Sequence, residues 1–337
     1  MTAALEVRGL SKHFPADRRL RGRSYVHAAD DVSFSLRPGT ITALVGESGS
    51  GKSTVARLIA RLYDPTSGQV LYAGHDVSSE RGRRAVRRYR SDVQMIFQDP
   101  FGSLNPVKTV RHHIARPLQI HGVVPRGQVE ARVHELLDTV GLVPPERIAK
   151  KYPHELSGGQ RQRVSIARAL AVEPAVVVAD EPISMLDVSI RIGILNLMRE
   201  LKEARGLAFL YVTHDLASAR YIADDVLVMY AGQIVERGQA EEVLQSPLHP
   251  YTRLLLSAVP DPARGEGDLL QVSKGHSAAA VDPVDACRFV GRCPLAIAAC
   301  SRSAPELVEV SPGRAARCHV TAPSTALRED VHEQPVR

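Results

Sequence analysis

The segment at residues 46–54 constrains this chain most, because it fits the phosphate-loop pattern G-x-x-x-x-G-K-[ST]. Glycines let the backbone wrap closely around phosphate oxygens at the start of a helix. We expect Lys52 to reach the β- and γ-phosphates of a nucleotide, Ser53 to place its hydroxyl on Mg²⁺, and Thr54 to contact the α-phosphate. The predicted nucleotide-binding residues are Gly46, Glu47, Ser48, Gly49, Ser50, Gly51, Lys52, Ser53 and Thr54.

The flanking sequence supports this interpretation. Residues 41–45 form an apolar run that is typical of a buried parallel strand. Residues 55, 58, 59 and 62 are apolar at helical spacing, and Pro65 follows them. The order strand, loop, helix is the one a phosphate loop requires, and it counts against a glycine-rich turn that binds nothing.

Polar residues follow three further predicted strands. Asp180 and Glu181 come after the apolar run 175–179, His214 follows the run 209–212, and Gln98 follows the strand at 93–97. Open α/β sheets bind ligands at the carboxyl ends of their strands. We expect Asp180 to contact Mg²⁺ through water, Glu181 to act as the general base for water attack, and His214 to contact the γ-phosphate. The amide of Gln98 could reach the metal and the water, although a solvent-facing glutamine is the default interpretation.

A second anion-binding segment lies at the start of a predicted helix. Its residues, Ser157, Gly158, Gly159 and Gln160, would expose backbone N–H groups and the positive end of the helix dipole. One chain needs only one phosphate loop for one nucleotide. We therefore expect this segment to serve a neighbouring molecule. Phe14 fits equally well as a stacking platform for adenine and as a core residue at a strand end, and Tyr25 is a weaker candidate for the stacking role.

Composition limits the remaining classes. The 337 residues carry a net charge of +6, but much of the basic excess lies in the short runs 18–23 and 81–90. Aromatic residues make up 4% and no nucleic-acid motif occurs, so we do not expect a nucleic-acid partner. The chain has no run of 18 apolar residues and no secretory signal at its start. These features predict a cytoplasmic α/β protein of about two domains.

Changes in the pattern of polar and apolar residues along the chain indicate how it is organised into domains. Alternating polarity at residues 5–14 and 32–36 predicts an antiparallel β subdomain. A helical stripe and several prolines predict an inserted helical subdomain at about residues 105–170. We assign residues 1–260 to an ATP-binding domain, 261–284 to a linker, and 285–337 to a small C-terminal extension.

All cysteines of the chain lie in this extension. In a cytoplasmic protein, clustered cysteines indicate thiolate ligands to a metal rather than disulfides. Their spacing fits neither the paired pattern of zinc sites nor the bacterial ferredoxin pattern. The residues alone therefore predict a four-thiolate metal site and leave the metal open. The ligands would be Cys287, Cys293, Cys300 and Cys318.

Taken in order and spacing, these motifs resemble the ATPase subunits of ABC transporters over roughly residues 5–260. The pairing of a phosphate loop with Leu-Ser-Gly-Gly-Gln at residues 156–160 is highly specific for that family. The resemblance implies a P-loop NTPase core in which two subunits sandwich two ATP molecules. Each ATP lies between one chain's phosphate loop and the other chain's residues 157–160. It also places Asp187 in the nucleotide site, whereas Met185 replaces the alanine usual in the family.

Residues 98–106 and 249–255 are similar to the oligopeptide/dipeptide and nickel importer branch. That likeness implies peptide import at the cytoplasmic face of the membrane, with nickel as an alternative substrate. The implied partners are a second, usually different, ATPase subunit, two membrane permease subunits and, indirectly, an extracytoplasmic peptide-binding protein. Residues 98–105 would couple the ATP site to the membrane subunits. The branch also implies a [4Fe–4S] cluster on the four cysteines, with zinc or reduced thiols as alternatives.

Two functions from other classes remain as alternatives. A soluble ABC-type ATPase acting on ribosomes or DNA typically has two ATPase halves or a long coiled-coil insertion, and this sequence has neither. A four-cysteine metal or redox sensor with weak ATPase activity would keep the cysteines but not need the catalytic residues. Since Glu181 and His214 are both present, the resemblance favours a functional ATPase.

Overall fold

The computed structural model describes residues 3–16, 24–258 and 280–322, which form two β-sheets with helices around them. The strands are β1 (Leu5–Pro15), β2 (Tyr25–Leu36), β3 (Ile41–Val45), β4 (Ser67–Tyr72), β5 (His75–Asp76), β6 (Val93–Ile96), β7 (Val176–Asp180), β8 (Ala208–Thr213), β9 (Asp225–Tyr230), β10 (Gln233–Gln239), β11 (Val308–Ser311) and β12 (Arg314–Ala316). The helices are α1 (Lys52–Ile59), α2 (Arg83–Asp92), α3 (Pro100–Ser103), α4 (Val110–His121), α5 (Val129–Thr139), α6 (Pro145–Lys150), α7 (Gly158–Leu170), α8 (Val188–Arg205), α9 (Leu216–Ile222), α10 (Ala240–Gln245) and α11 (Pro250–Ser257).

The larger sheet has the order β11-β12-β10-β9-β3-β8-β7-β6. Its pairs from β9 to β6 are parallel, and the remaining pairs are antiparallel. Every residue of β3, β7 and β8 is buried, as expected for parallel strands covered on both faces. In the parallel register Val45 pairs with Thr213 and Asp180 with Val212, so these strands end at one level. The predicted α/β core is confirmed.

The smaller sheet, of order β2-β1-β4-β5, is the antiparallel subdomain that the alternating pattern predicted. Strand β2 of this sheet is longer than expected, because it begins at Tyr25 rather than at residue 32. The β1/β2 ladder shifts register between Val7 and Leu10, and again on both sides of Lys12. Such irregularities interrupt the two-residue period, which explains why the first half of β2 escaped the pattern.

Helices α3 to α7 form the predicted helical insertion. The apolar stripe of α5 is buried as expected, with Val133 and Leu137 fully inaccessible. Pro117 is typical of a position where a helix ends, yet it lies inside α4 and the helix continues past it. A proline removes one backbone hydrogen bond, whereas burial of Ile114 and Leu118 on the same helix retains its packing against the core.

The C-terminal extension is joined to the larger sheet. Strand β12 pairs with β10, with Glu236 opposite Ala316, and β11 adds the next strand. Most of the predicted linker, residues 261–279, and residues 323–337 of the extension lie outside the described residues. The described end of that linker is packed, which corrects the expectation for residues 280–284. Val281 forms a bridge with Val26, and the carboxylate of Asp282 accepts a hydrogen bond from the Tyr25 backbone N–H at 2.9 Å.

A helix that crosses a bilayer needs about 20 predominantly apolar residues. None of the described helices combines the length and the apolar composition needed to cross a membrane.

Candidate nucleotide-binding and catalytic site

The phosphate loop, residues 46–54, connects the central strand β3 to α1 and packs closely against neighbouring backbone. A Cβ atom added at Gly46 would lie 2.2 Å from the Met229 carbonyl oxygen, and one at Gly51 would lie 1.9 Å from the Ala28 carbonyl oxygen. Gly51 also has a φ of +106°, which other residues rarely adopt. The glycines of the motif are therefore required by β2 and β9 as well as by any bound phosphate.

Lys52 points its ammonium group into this loop. Its side chain is buried, and Nζ donates hydrogen bonds of 2.8 Å to the carbonyl oxygens of Gly46 and Glu47. Burial lowers the pKa of Lys52, while the carboxylates of Glu181, Asp180 and Glu47 oppose that shift. A buried cation inside a loop of backbone N–H groups is the charge arrangement that a polyphosphate requires.

Ser53 and Asp180 lie together beside the loop. The Ser53 hydroxyl donates a hydrogen bond of 2.9 Å to Asp180 Oδ1, and Asp180 is the last residue of β7. Burial raises the pKa of Asp180 from its usual value. Hydroxyl and carboxylate oxygens are the ligands that Mg²⁺ prefers, so this pair fits a bound Mg²⁺ as predicted from the sequence.

The structure brings together Gln98, Glu181 and His214, which the sequence placed after three separate strands. Gln98 Nε2 donates to Glu181 Oε2 at 3.0 Å, and His214 Nδ1 lies 3.1 Å from Glu181 Oε1. The Glu181 backbone has a φ of +46°, an uncommon conformation for a non-glycine residue. Its N–H donates to the Val212 carbonyl oxygen at 2.9 Å, which fixes the turn that directs the carboxylate. Such a held carboxylate can accept a proton from water.

The second anion-binding segment, residues 157–160, begins α7 with a reciprocal capping box. Ser157 Oγ accepts from the Gln160 N–H at 3.2 Å, and Gln160 Oε1 accepts from the Ser157 N–H at 3.1 Å. Ser157 is exposed. A Cβ at Gly158 would lie 3.5 Å from Leu186, and one at Gly159 would lie 2.5 Å from Ile190, so this helix start packs beside α8.

The surface around that segment is apolar and accessible. Met185, Val188 and Ile192 are 56%, 72% and 50% exposed, respectively. Asp187, the residue before α8, is also exposed. Exposed apolar side chains next to a helix N-terminus are typical of a surface that a protein partner covers.

Phe14 keeps both of its sequence interpretations. Its ring lies edge-on to Tyr63 with a centroid separation of 5.6 Å, and the ammonium of Lys12 lies 5.3 Å from its centroid. The side chain is half-buried near the end of β1, so one ring face packing on adenine stays a prediction. Tyr25, at the start of β2, pairs with Pro15 next to it.

Two residues that support the phosphate loop were missed by sequence reasoning. The Tyr251 hydroxyl accepts a hydrogen bond of 2.8 Å from the Glu47 backbone N–H. Both terminal nitrogens of Arg292 donate to the Glu47 carboxylate, each at 2.9 Å. The likeness at residues 249–255 marked the region of Tyr251 without giving it a role, and no sequence signal pointed to Arg292.

The four cysteines of the extension are free thiols, half-buried at Cys287 and Cys293 and buried at Cys300 and Cys318. Burial raises the pKa of Cys287 to about 11 and raises that of Cys293. The sulfur of Cys287 accepts a hydrogen bond from a backbone N–H, as thiolate ligands commonly do. No three of these four sulfur atoms lie within 4.8 Å of one another, which is wider than one tetrahedral zinc ion requires.

Comparison with known families assigns two parts of the chain. The ABC transporter family matches residues 29–184, which include the phosphate loop and Glu181. The family described as the C-terminal region of oligopeptide/dipeptide transporters matches residues 235–300.

Solved ABC cassettes share the fold. The dimeric cassette MJ0796 bound to ADP and phosphate is 28% identical, with a TM-score of 0.62 over 70% of this chain and 98% of that chain. The protein cbiO1 from Clostridium perfringens, part of the ABC transporter complex cbiONQ, is 27% identical, with a TM-score of 0.63 over 73% of this chain and 92% of that chain.

Relatives of known name match almost the whole chain. The oligopeptide transport ATP-binding protein AppF of Bacillus subtilis is 44% identical over 330 residues, covering 95% of this chain and 99% of that protein. The probable peptide ABC transporter ATP-binding protein y4tS of Sinorhizobium fredii is 44% identical over 329 residues, covering 96% and 92%. The chain therefore belongs to the ABC transporter family, among the ATP-binding proteins of oligopeptide transport.

Proposed function

We propose that this chain hydrolyses ATP to drive the import of peptides through a membrane ABC transporter. The observation that carries the proposal is the convergence of Gln98, Glu181 and His214 beside the Ser53–Asp180 pair. The arrangement supports Glu181 as the general base and the Ser53–Asp180 pair as metal ligands, with the buried lysine of the phosphate loop at the same edge of the sheet. Few chemistries other than phosphoryl transfer to water use that combination.

The roles of the residues follow from their contacts. Glu181 takes a proton from water as the water oxygen bonds to the γ-phosphorus and the bond to the leaving β-phosphate oxygen breaks. Gln98 and His214 hold one carboxylate oxygen each, so they orient Glu181. Lys52 and the loop N–H groups stabilise the charge on the phosphates. Mg²⁺, held through Ser53 and Asp180, supplies further neutralisation of that charge when it is bound.

A second ATPase subunit completes the site in this proposal. Residues 157–160 present an exposed helix start next to the accessible apolar side chains of Met185 and Val188. In a face-to-face pair, this segment would cap the γ-phosphate held on the other subunit, with Asp187 at the same contact. We propose a pair of two different ATPase chains, as the importer branch usually has.

The substrate assignment rests on the relatives. Those most similar over the whole length are named for oligopeptide or peptide transport, so we propose peptides rather than nickel as the cargo. The chain would lie peripherally at the cytoplasmic face of the membrane on two permease subunits, with an extracytoplasmic peptide-binding protein delivering the cargo. Co-purification with the permeases, followed by ATPase assays with and without peptide, tests this. Hydrolysis stimulated by nickel but not by peptide would overturn it.

We propose further that the four cysteines hold a [4Fe–4S] cluster. The wide sulfur spacing and the backbone N–H donors suit a cluster better than a single zinc ion. Because burial raises the pKa of the Cys287 and Cys293 thiols, cluster loading would release protons from them. Iron and acid-labile sulfide measured after anaerobic purification test this assignment. An iron-free, colourless protein that is folded and binds ATP would contradict it.

The ATPase assignment is tested by Glu181→Gln. We expect hydrolysis of MgATP to fall roughly a thousandfold, the middle of the range for loss of a general base, while ATP binding is retained. Glu203→Gln, an exposed glutamate on α8, is the matched control and should leave phosphate release unchanged. Undiminished hydrolysis in the Glu181 variant would remove this residue as the base.

A further inference from the structure

Within the phosphate loop, Glu47 forms hydrogen bonds with two residues from distant parts of the chain, Tyr251 and Arg292. Its backbone N–H donates to the Tyr251 hydroxyl at 2.8 Å, and its carbonyl oxygen accepts from Lys52 Nζ at 2.8 Å. Its carboxylate receives both terminal nitrogens of Arg292. Since Arg292 belongs to the C-terminal extension, the extension directly contacts the loop that binds phosphate.

Arg292 is held in place for this contact. Its side chain is only 13% exposed, and its guanidinium carbon lies 5.7 Å from the ring centroids of both Tyr230 and Phe289. These two rings pack edge to face at 5.3 Å, and Tyr251 packs against both of them. An arginine guanidinium is always charged in proteins, so the side chain of Arg292 can neutralise a carboxylate. The pair is bidentate, the strongest form of arginine–carboxylate contact.

The charge of Glu47 gives this contact a function. A carboxylate within the loop repels a bound polyphosphate and weakens its binding unless a cation neutralises it. Lys52 cannot serve both, because its ammonium group already lies among the loop carbonyls where the β- and γ-phosphates would bind. Arg292 approaches the carboxylate from outside the loop, and it neutralises the charge without occupying the phosphate position.

We propose that Arg292 is a positioning residue for ATP binding, which neutralises Glu47 and fixes the first turn of the phosphate loop. The nucleotide site thus includes the C-terminal extension. Arg292 directly precedes Cys293 and ends the short 3-10 helix Val290–Arg292, so the fold of the cysteine region sets its position. This inference rests on the proposed function, since it concerns the affinity of the same site for ATP.

The test measures the Kd for MgATP in the full-length chain, and the KM and kcat in the assembled ATPase pair. Arg292→Ala should raise the KM and the Kd for MgATP roughly tenfold, as loss of a charge-assisted pair predicts, and change kcat at saturating ATP by less than twofold. Arg302→Ala, an exposed arginine of the same extension, should leave the KM unchanged. The double variant Glu47→Gln/Arg292→Ala should recover most of the lost affinity, because the repelling charge is then absent.

The outcomes distinguish the inference from a merely structural role. An unchanged KM in Arg292→Ala overturns it, and so does a raised KM that the double variant does not recover. If Arg292→Ala fails to fold, Arg292→Lys decides: the lysine keeps the charge, so affinity near that of the unmodified chain supports the inference and a tenfold loss contradicts it. Failure of the unmodified chain to bind ATP would refute the proposed function instead, since Arg292 acts only on that binding.

Discussion

The two segments predicted to bind phosphate are both helix starts rich in glycine, yet their surroundings differ. The phosphate loop lies against backbone from β2 and β9 and is held by Tyr251 and Arg292 from outside. The segment at residues 157–160 is held chiefly by its own capping box, and Ser157 is exposed. The same local motif therefore gives a cradle that the surrounding backbone holds at the centre of the sheet, and a cap beside α8 that lies next to exposed apolar side chains.

Adding one methyl group to each segment tests this difference in surroundings most strongly. Gly51→Ala would place a Cβ 1.9 Å from the Ala28 carbonyl oxygen at a φ of +106°, so we expect a loss of about 3 kcal/mol or more of unfolding free energy. Gly158→Ala meets Leu186 at an ordinary 3.5 Å, and should change stability by less than about 0.5 kcal/mol. Urea unfolding of both variants measures the difference, and equal losses would contradict it.

The next largest effect concerns the partner. Ser157→Arg puts a bulky side chain at the exposed cap, so hydrolysis by the assembled ATPase pair should fall roughly a hundredfold, as when a transition-state donor is lost. ATP binding by the isolated chain should persist, because the phosphate loop is intact. The control is Ser67→Arg, at an exposed position on β4. Equal hydrolysis by Ser157→Arg and the unmodified pair would show that the cap serves no neighbouring phosphate.

The smallest expected effect is a pH dependence of the unfolding free energy. It comes from His249, which caps the helix that carries Tyr251 to the phosphate loop. Burial lowers the pKa of His249 to about 3, and its Nδ1 caps α11 by accepting from the Tyr251 N–H. Below the ordinary pKa near 6.5, the unfolded chain binds a proton here that the folded chain does not. Stability therefore falls as pH falls through that value, by about 1 kcal/mol from this group between pH 7 and pH 5.5.

His249→Asn checks this dependence, since the amide retains a cap acceptor but does not titrate. The slope of unfolding free energy against pH should be shallower in the variant by that amount. An identical slope in both proteins would mean that His249 binds no proton on unfolding in this range.

Much of the site was predictable because the rules behind it are local. The phosphate loop is recognisable from the spacing of its own residues, and the carboxyl ends of parallel strands meet at one edge of a sheet. That topological rule is why Gln98, Glu181 and His214 could be expected near one another before any contact was known. The hydrogen bonds from Gln98 and His214 to opposite oxygens of Glu181 confirm that proximity.

The supports of the loop were not predictable, because they join distant parts of the chain. Glu47 and Arg292 are 245 residues apart, and nothing near either one marks the other as its partner. Likewise, the C-terminal extension was expected to be separate from the ATP-binding domain, but the pairing of β12 with β10 joins it to the larger sheet. Residues 280–284 looked like linker by composition, and only the contacts of Val281 and Asp282 with β2 show that they pack.

The position of β12 also has a consequence for synthesis. Arg317, just beyond β12, donates to the carbonyl oxygen of Ile234, a contact that spans 83 residues. A ribosome delivers the chain from its N-terminus, so the nucleotide-binding core emerges long before the strand that covers its edge and before the arginine that contacts the phosphate loop. A nascent or prematurely ended chain would thus contain every predicted catalytic residue, with β10 paired to β9 but open along its other edge. The larger sheet therefore reaches its full width only after β12 has been translated and has paired with β10.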